Sequence, residues 1–259
     1  MPNPRTTSFV ALRAALIAIG LFGTLAMATP STAQNLLLNP GFESVTSGSP
    51  FDVPTDWNFF TLPAGGGSSN YYSIATGDPI FPGPETFTAL EGSQGIGHFP
   101  ESTGAENASI VYQQFPTTGG ESFRLTGSAF VHPNQPLTNA RTYARLDITF
   151  FDASFSSSAT ESSARIDLNT PQEQWTALAV EGTAPAWATQ VQARIYLVEC
   201  EGETSGCFDG GTVFWDDLSF GPAPPPVPFG TVTGVAGLLG SLVLVGASQA
   251  RIRSRAAGS

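Results

Sequence analysis

The sequence predicts an all-β fold, an antiparallel jelly-roll sandwich, carried between two apolar ends. Three observations point there. Short runs rich in Val, Ile, Phe, Tyr and Thr alternate with clusters of Gly, Pro, Ser and Asn. No stretch between the ends keeps a helical period. The runs recur over roughly 190 residues, room for one sandwich with a real core and long loops.

The elements come in this order. Arg5 and Arg13 precede an apolar run, Ala14 to Met27, and Ser31-Thr32-Ala33 puts small residues where a signal peptidase reads them. Residues 1–33 are therefore expected to be a signal peptide that leaves Gln34 as the new N-terminus. An uncleaved membrane helix is the alternative, and either one exports the middle of the chain. Residues 34–221 form the expected β-domain. Its clearest strands are Ser109–Phe115, Glu121–Val131, Thr142–Phe151, Trp175–Val180, Gln190–Val198 and Thr212–Phe220. Pro63–Asn70 with three consecutive glycines, Ser154–Ser163 with six serines, and Pro79–Pro84 read as loops. No internal repeat is visible.

Residues 222–228 are a proline-rich linker. Phe229–Ala247 then runs nineteen residues without a charge, about 28 Å of helix and close to the hydrocarbon thickness of a bilayer. A membrane or sorting helix is expected over 229–250. The arginines at 251, 253 and 255 hold the short tail, 251–259, in the cytoplasm. The chain is thus expected at the cell surface or in the extracellular matrix, anchored at least for a time with its C-terminus inside.

Charge narrows the partners. All 21 acidic residues lie between Glu43 and Asp217, against Arg124, Arg141, Arg145, Arg165 and Arg194, a formal charge of −16 for the β-domain; lysine is absent from the chain. Such a field repels nucleic acid and anionic lipid heads and suits neutral partners or cations. An acidic surface adapted to a salty setting reads equally well. Cys200 and Cys207 are the only cysteines. In an exported chain so close a pair is expected to form a disulfide, worth about 2.5 kcal/mol in the chain-entropy picture; a metal pair would need partners the neighbourhood lacks.

Strand alternation sorts the faces. In Tyr143–Phe151, Ala144, Leu146, Ile148 and Phe150 point one way, and Tyr143, Arg145, Asp147 and Thr149 the other. In Val191–Val198, Gln192, Arg194 and Tyr196 lie opposite an apolar row. Rings that cover C–H faces, beside planar polar groups that bind hydroxyls, are equipped to hold a sugar. A solvated face with cross-strand Arg–Asp pairs is the plainer alternative.

The domain opens with Asn35-Leu36-Leu37-Leu38-Asn39-Pro40-Gly41-Phe42-Glu43 and Pro54-Thr55-Asp56-Trp57, and closes with Thr212-Val213-Phe214-Trp215-Asp216-Asp217-Leu218-Ser219-Phe220. With Glu91-Gly92-Ser93-Gln94, Val111-Tyr112-Gln113-Gln114, and Gln174-Trp175 followed by Thr183-Ala184-Pro185, this resembles carbohydrate-binding modules of the family 4/9/22 type, with their galactose-binding-like jelly roll. The resemblance spans about Asn35 to Gly221. It implies a polysaccharide or glycan partner. It also implies a structural calcium at Glu43 and Asp216, with Asp217 as substitute, calcium wanting several hard oxygens; the alternative is carboxylates capping strand ends in water. Asp216 alternates in phase with Phe214, Leu218 and Phe220 on the expected buried side, whereas Trp215 points away. Trp57 and Trp175 match structural positions, so Trp187, Tyr71 and Tyr72 are the expected exposed rings, and Phe59 and Phe60 could equally be packing. The tail resembles PEP-CTERM sorting signals, which implies an exosortase-like protease as a further partner. The chain reads Pro-Pro-Val-Pro-Phe where that signal has Pro-Glu-Pro, and a permanent anchor is the other reading.

Catalysis has little to stand on. His98 and His132 lie in separate segments without metal spacing, and no Gly-x-Ser-x-Gly, His-Glu-x-x-His or phosphate loop occurs. The expected function is a non-catalytic surface module that binds glycans of an envelope or exopolysaccharide. A structural or adhesive matrix protein working through protein contacts is the alternative.

Overall fold

Twelve strands lie among the described residues, all of them paired antiparallel. They are β1 (Val45–Thr46), β2 (Val53–Pro54), β3 (Asn58–Leu62), β4 (Tyr71–Ala75), β5 (Gln94–His98), β6 (Asn107–Pro116), β7 (Ser122–Val131), β8 (Tyr143–Phe151), β9 (Ser158–Ser162), β10 (Trp175–Thr183), β11 (Gln190–Glu199) and β12 (Val213–Pro222). This computed structural model describes residues 34–47, 52–62, 71–80, 83–100, 104–208 and 210–225. The expected signal peptide, the Pro63–Asn70 loop and the apolar tail lie outside the described residues. No helix among the described residues is long and apolar enough to cross a membrane.

A front sheet in the order β3-β6-β11-β8-β9 faces a back sheet in the order β10-β7-β12-β5-β4, and β1 and β2 form a small separate ribbon. The non-sequential orders mean that the chain crosses between layers repeatedly, as expected for a jelly roll. Alternation puts Val111, Leu146, Ile148, Phe150, Val191, Ala193, Ile195 and Leu197 of the front sheet against Ile96, Leu125, Ala129, Val131, Trp215, Leu218 and Phe220 of the back sheet. Phe220 stacks on Phe123 at 5.2 Å and on Phe115 at 5.4 Å. His98 on β5 meets Ser109 on β6 at 2.5 Å and so ties the two layers together; complete burial pushes its imidazole down to about 3, so it stays neutral.

All six strands read from sequence are present. The serine-rich stretch departs from expectation: Ser158–Ser162 is a strand, not loop, because Thr160 pairs with Thr149 and extends the front sheet as its edge. A second departure lies in β12. Its register shifts between Asp216 and Ser219, and Asp217 takes a φ of 53°, the left-handed geometry of a bulge. The extra residue reverses the phase of alternation. Trp215 is fully buried in the main core together with Leu218 and Phe220, while Phe214 and Asp216 point outward from the back sheet. Strict period-two counting across Asp216-Asp217 therefore assigns Trp215 to the wrong side.

Outward does not mean solvated on the back sheet. Phe214, Ile74, Ile80 and Phe87 form a second buried cluster, with Tyr72, Phe130 and Trp175 against it. The segment after β4 supplies Ile80 and Phe87 as the lid; it is pinned by Ile80 N to Glu85 O at 2.9 Å and Phe87 N to Asp78 O at 2.8 Å. The two ends of the domain meet at β12. Leu36 N donates to Phe220 O at 2.7 Å, and the Asn35 side chain donates to Leu218 O while accepting from Phe220 N, both at 3.0 Å. Cys200 and Cys207 are disulfide-bonded, closing the turn beyond β11.

Candidate functional site

The outer face of the front sheet collects most of the residues singled out from sequence. The register lays them in rows across the strands. One row runs Phe60, Ile110, Tyr196, Arg145; the next Asn58, Tyr112, Arg194, Asp147, Ser162; the third Gln114, Gln192, Thr149, Thr160. Neighbouring side chains in a row stand about 5 Å apart, so the face is a grid of rings and planar polar groups.

Hydrogen bonds fix that grid. Arg145 reaches Asp147 with Nε at 2.8 Å and Nη2 at 3.2 Å, and its guanidinium lies 5.1 Å from the centre of the Tyr196 ring and 5.5 Å from that of Tyr143. Arg194 lies 5.5 Å from Phe60 and 5.0 Å from Phe151. Its Nε and Nη2 donate to Gln192 Oε1 at 2.8 and 2.6 Å; Gln192 Nε2 donates to Gln114 Oε1 at 2.7 Å, and Gln114 Nε2 to Gln190 Oε1. Phe60 and Tyr112 meet edge to face at 5.5 Å. At the Tyr143 end, Arg165 lies 3.6 Å over the ring, and Glu201 accepts from both Tyr143 Oη, at 3.0 Å, and Arg165 Nη1, at 3.1 Å. Burial and the bond to Glu201 push the Tyr143 phenol up to about 12.

The face is less wet than alternation alone suggests. Asp147 is 1% exposed, and Thr149, Gln192 and Tyr143 are also buried, because the long side chains lie flat over one another. Half-buried Phe60, Tyr112, Arg145, Arg194 and Tyr196 form the accessible layer, with Asn58, Gln114 and Thr160 exposed at the edges.

Of the expected ligand residues, Tyr143, Arg145, Asp147, Gln192, Arg194 and Tyr196 come together here. Phe60, read from sequence as equally a packing residue, joins them, as do Tyr112 and Gln114, which the strand pattern did not single out; the signal was present, since Ile110, Tyr112 and Gln114 alternate with Val111 and Gln113. The remaining expected rings lie elsewhere. Trp187 is 41% exposed in the turn between β10 and β11, beyond Gln190 and thus about 20 Å along β11 from Tyr196. Tyr71 is a core residue, packed on Phe59 at 4.9 Å. Tyr72 lies across Gly97 on the back sheet, where a Cβ would strike its ring. It lines a groove of about 550 Å³ with Ile74, Asp78, Pro79, Phe99 and Thr212, and burial pushes its phenol up to about 12. Trp57 is core, as expected, its Nε1 donating to Asn39 O at 3.1 Å. Trp175 packs at the edge of the back-sheet cluster, 5.4 Å from Phe130.

The expected calcium ligands hold something else. Glu43 Oε1 accepts from Ser93 N at 2.9 Å and Gln94 N at 3.0 Å, and Oε2 from Ser93 Oγ at 2.8 Å. Asp216 Oδ2 accepts from Leu90 N at 2.7 Å and Glu91 N at 3.0 Å, and Oδ1 from Asp217 N at 2.7 Å. Gly92, at a φ of 59°, leaves the space that the Glu43 carboxylate occupies. Both carboxylates are thus latches on the turn 90–94. Burial opposes the charge of each: in Glu43 the bonds from Ser93 and Gln94 prevail and lower the pKa, whereas in Asp216 burial prevails and raises it. Asp217 is exposed, and among the described residues no group of three or more His, Cys, Asp or Glu side chains is placed so as to hold a metal ion. Hydrogen-bond donors thus engage both carboxylates, and the structure gives the calcium expectation no support of its own.

No protein-family model and no curated protein sequence matches the chain. Among solved structures it is similar to a family 61 carbohydrate-binding module in complex with β-1,4-galactotriose, at 12% identity over 74% of this chain and all of that one, with a TM-score of 0.42. It is also similar to the C-terminal family 22 carbohydrate-binding module of Clostridium thermocellum Xyn10B, at 13% identity over 73% of this chain and 98% of that one, TM-score 0.39. A third is the K2 cleaved adhesin domain of Lys-gingipain, at 20% identity over 70% and 96%, TM-score 0.38. At such identities the site is judged on this chain's own side chains.

Proposed function

We propose that this protein is a non-catalytic, surface-displayed module that binds glycans of an envelope or exopolysaccharide through the outer face of its front sheet. One observation carries the reading: outside the core, the register aligns Phe60, Tyr112 and Tyr196 with Arg145, Arg194, Asp147, Gln192 and Gln114, all held in place by hydrogen bonds and ring contacts. A pre-ordered set of rings and planar donors loses little entropy on binding, which favours stacking on sugar C–H faces and bonding to hydroxyls. Export by residues 1–33, anchoring by residues 229–250 and processing of the tail by an exosortase-like protease belong to the same proposal. Calcium does not.

The test is calorimetry and a glycan array on the full chain in detergent, with xylan and β-1,4-galactan fragments among the first probes. Saturable binding that Tyr112→Ala weakens at least tenfold, with an unchanged melting point, supports the reading. Absence of binding to every glycan, together with a mass that grows with concentration, would replace it with an adhesive matrix role.

A further inference from the structure

Arginine is scarce in this domain, and its pairing is uneven. Arg124 pairs with Glu181, Arg141 with Glu203, Arg145 with Asp147 and Arg165 with Glu201. Among the described residues Arg194 has no carboxylate within ion-pair distance, although the domain carries 21 acids. Its Nε and Nη2 both donate to the single oxygen of Gln192, and among the described residues Nη1 donates to nothing.

This cation is also held where water solvates it poorly. Phe60 and Phe151 flank it at 5.5 and 5.0 Å, and burial pushes the guanidinium down to about 10, still charged at neutral pH. Asp147, its cross-strand neighbour, pairs with Arg145 instead, Oδ2 accepting from Nη2 and Oδ1 lying 2.8 Å from Nε. The charged groups on this part of the face are therefore two guanidiniums and one carboxylate. Glu106 stands near Tyr196 at the margin, its carboxylate on Gly202 N. Arg165 and Glu201 cancel one another beside Tyr143.

A half-buried cation with spare donors is complementary to an anion that presents two coplanar oxygens. We infer that the front face takes an anionic glycan, with an acidic group of the sugar seated on Arg194 and the pyranose ring against Phe60 and Tyr112. The inference rests on the glycan-binding reading above and names its ligand class. It runs against the expectation from net charge, which favours neutral partners. The two agree once range is considered: at about 0.1 M salt the field of the distant acids is screened beyond roughly 10 Å, whereas a contact at Arg194 is not.

The experiment measures binding of the full chain in detergent to oligogalacturonate, to its neutral methyl ester, and to a sulfated oligosaccharide, with Arg194→Gln and Arg194→Lys alongside. Oligogalacturonate should bind at least about tenfold more tightly than its ester. Arg194→Gln, which keeps a planar donor but no charge, should erase that preference by lowering affinity for the acid far more than for the ester, with the melting point near wild type; Arg194→Lys should restore part of it. An Arg194-dependent preference for the sulfated probe alone would assign the anion as sulfate and uphold the inference. Equal affinity for acid and ester, or a preference that Arg194→Gln leaves intact, would overturn it while sparing the glycan reading. Failure of every glycan, charged or neutral, overturns both.

Discussion

The two outer faces of the sandwich began with the same problem and solved it differently. Both sheets alternate, so both must present a second face beyond the core. The back sheet presents Phe214, Ile74, Phe130 and Trp175 and then covers them with Ile80 and Phe87 from the segment after β4, forming a second small core. The front sheet presents a smaller cluster, Ala108, Ile110, Tyr143 and Val198, that Phe60, Tyr112 and Tyr196 cover, and beside it Arg194, Gln192, Arg145 and Asp147 engage one another laterally, without a lid from that segment. Apolar groups can be satisfied only by coverage, whereas polar groups and rings can be satisfied by neighbours within the layer and still offer spare donors. In the proposed function, the face that solved its problem laterally is the one that meets the glycan.

Substitutions should separate the two solutions. The largest effect is expected at Phe214→Ala, which empties a fully buried site and should cost about 3–5 kcal/mol in denaturant unfolding. Tyr112→Ala, on the front, should leave the melting point almost unmoved and lower glycan affinity instead. Equal losses of stability from both would mean that the front face is simply more core. The link between the layers ranks second. His98 is neutral when folded and takes up a proton below about 6.5 when unfolded. Its contribution is complete above that pH and is lost as pH falls towards about 3, at up to about 1.4 kcal/mol per pH unit. Urea unfolding at several pH values should show that slope, and His98→Gln should flatten it while lowering stability at neutral pH.

Asp216→Ala should cost about 2 kcal/mol, since the amides of Leu90 and Glu91 lose a buried acceptor. Hydrogen exchange at 90–94 should accelerate, and millimolar calcium should leave the wild-type melting point unchanged; a calcium-induced rise removed by this variant would restore the metal reading. The smallest effect belongs to Arg124 and Glu181, paired at 3.2 Å on the exposed part of the back face. A double-mutant cycle there should give under about 0.5 kcal/mol.

Much of the fold is legible in the chain, for reasons visible in particular residues. The strand carrying Ala144, Leu146, Ile148 and Phe150 alternates without interruption, so alternation assigns its two faces correctly, and with the next strand it places six of the nine expected ligand residues. Trp215 is misplaced by the same count because a bulge at Asp217 is a backbone event that leaves almost no trace in composition. Tyr71 and Tyr72 look like a platform beside a glycine-rich loop, yet their strand, Tyr71–Ala75, pairs with β5 in the opposite sheet. Pairing across sequence-distant strands is what short-range patterns do not encode. Ser158–Ser162 reads as loop because an edge strand owes its form to its partner rather than to its own side chains. The lone status of Arg194 is invisible in sequence, for it depends on where the other carboxylates point.

The closure of the domain at β12 has a mechanical side. The strand that leads into the proline-rich linker lies at the centre of the back sheet, between β7 and β5, and the first residues of the domain are bonded to its linker end through Asn35 and Leu36. A pull on the tail therefore loads an interior strand along its length, so that many ladder bonds share the force at once rather than parting one at a time from an edge. Under the proposed anchoring by the tail, a polymer pulled by flow would load this interior strand rather than an edge strand.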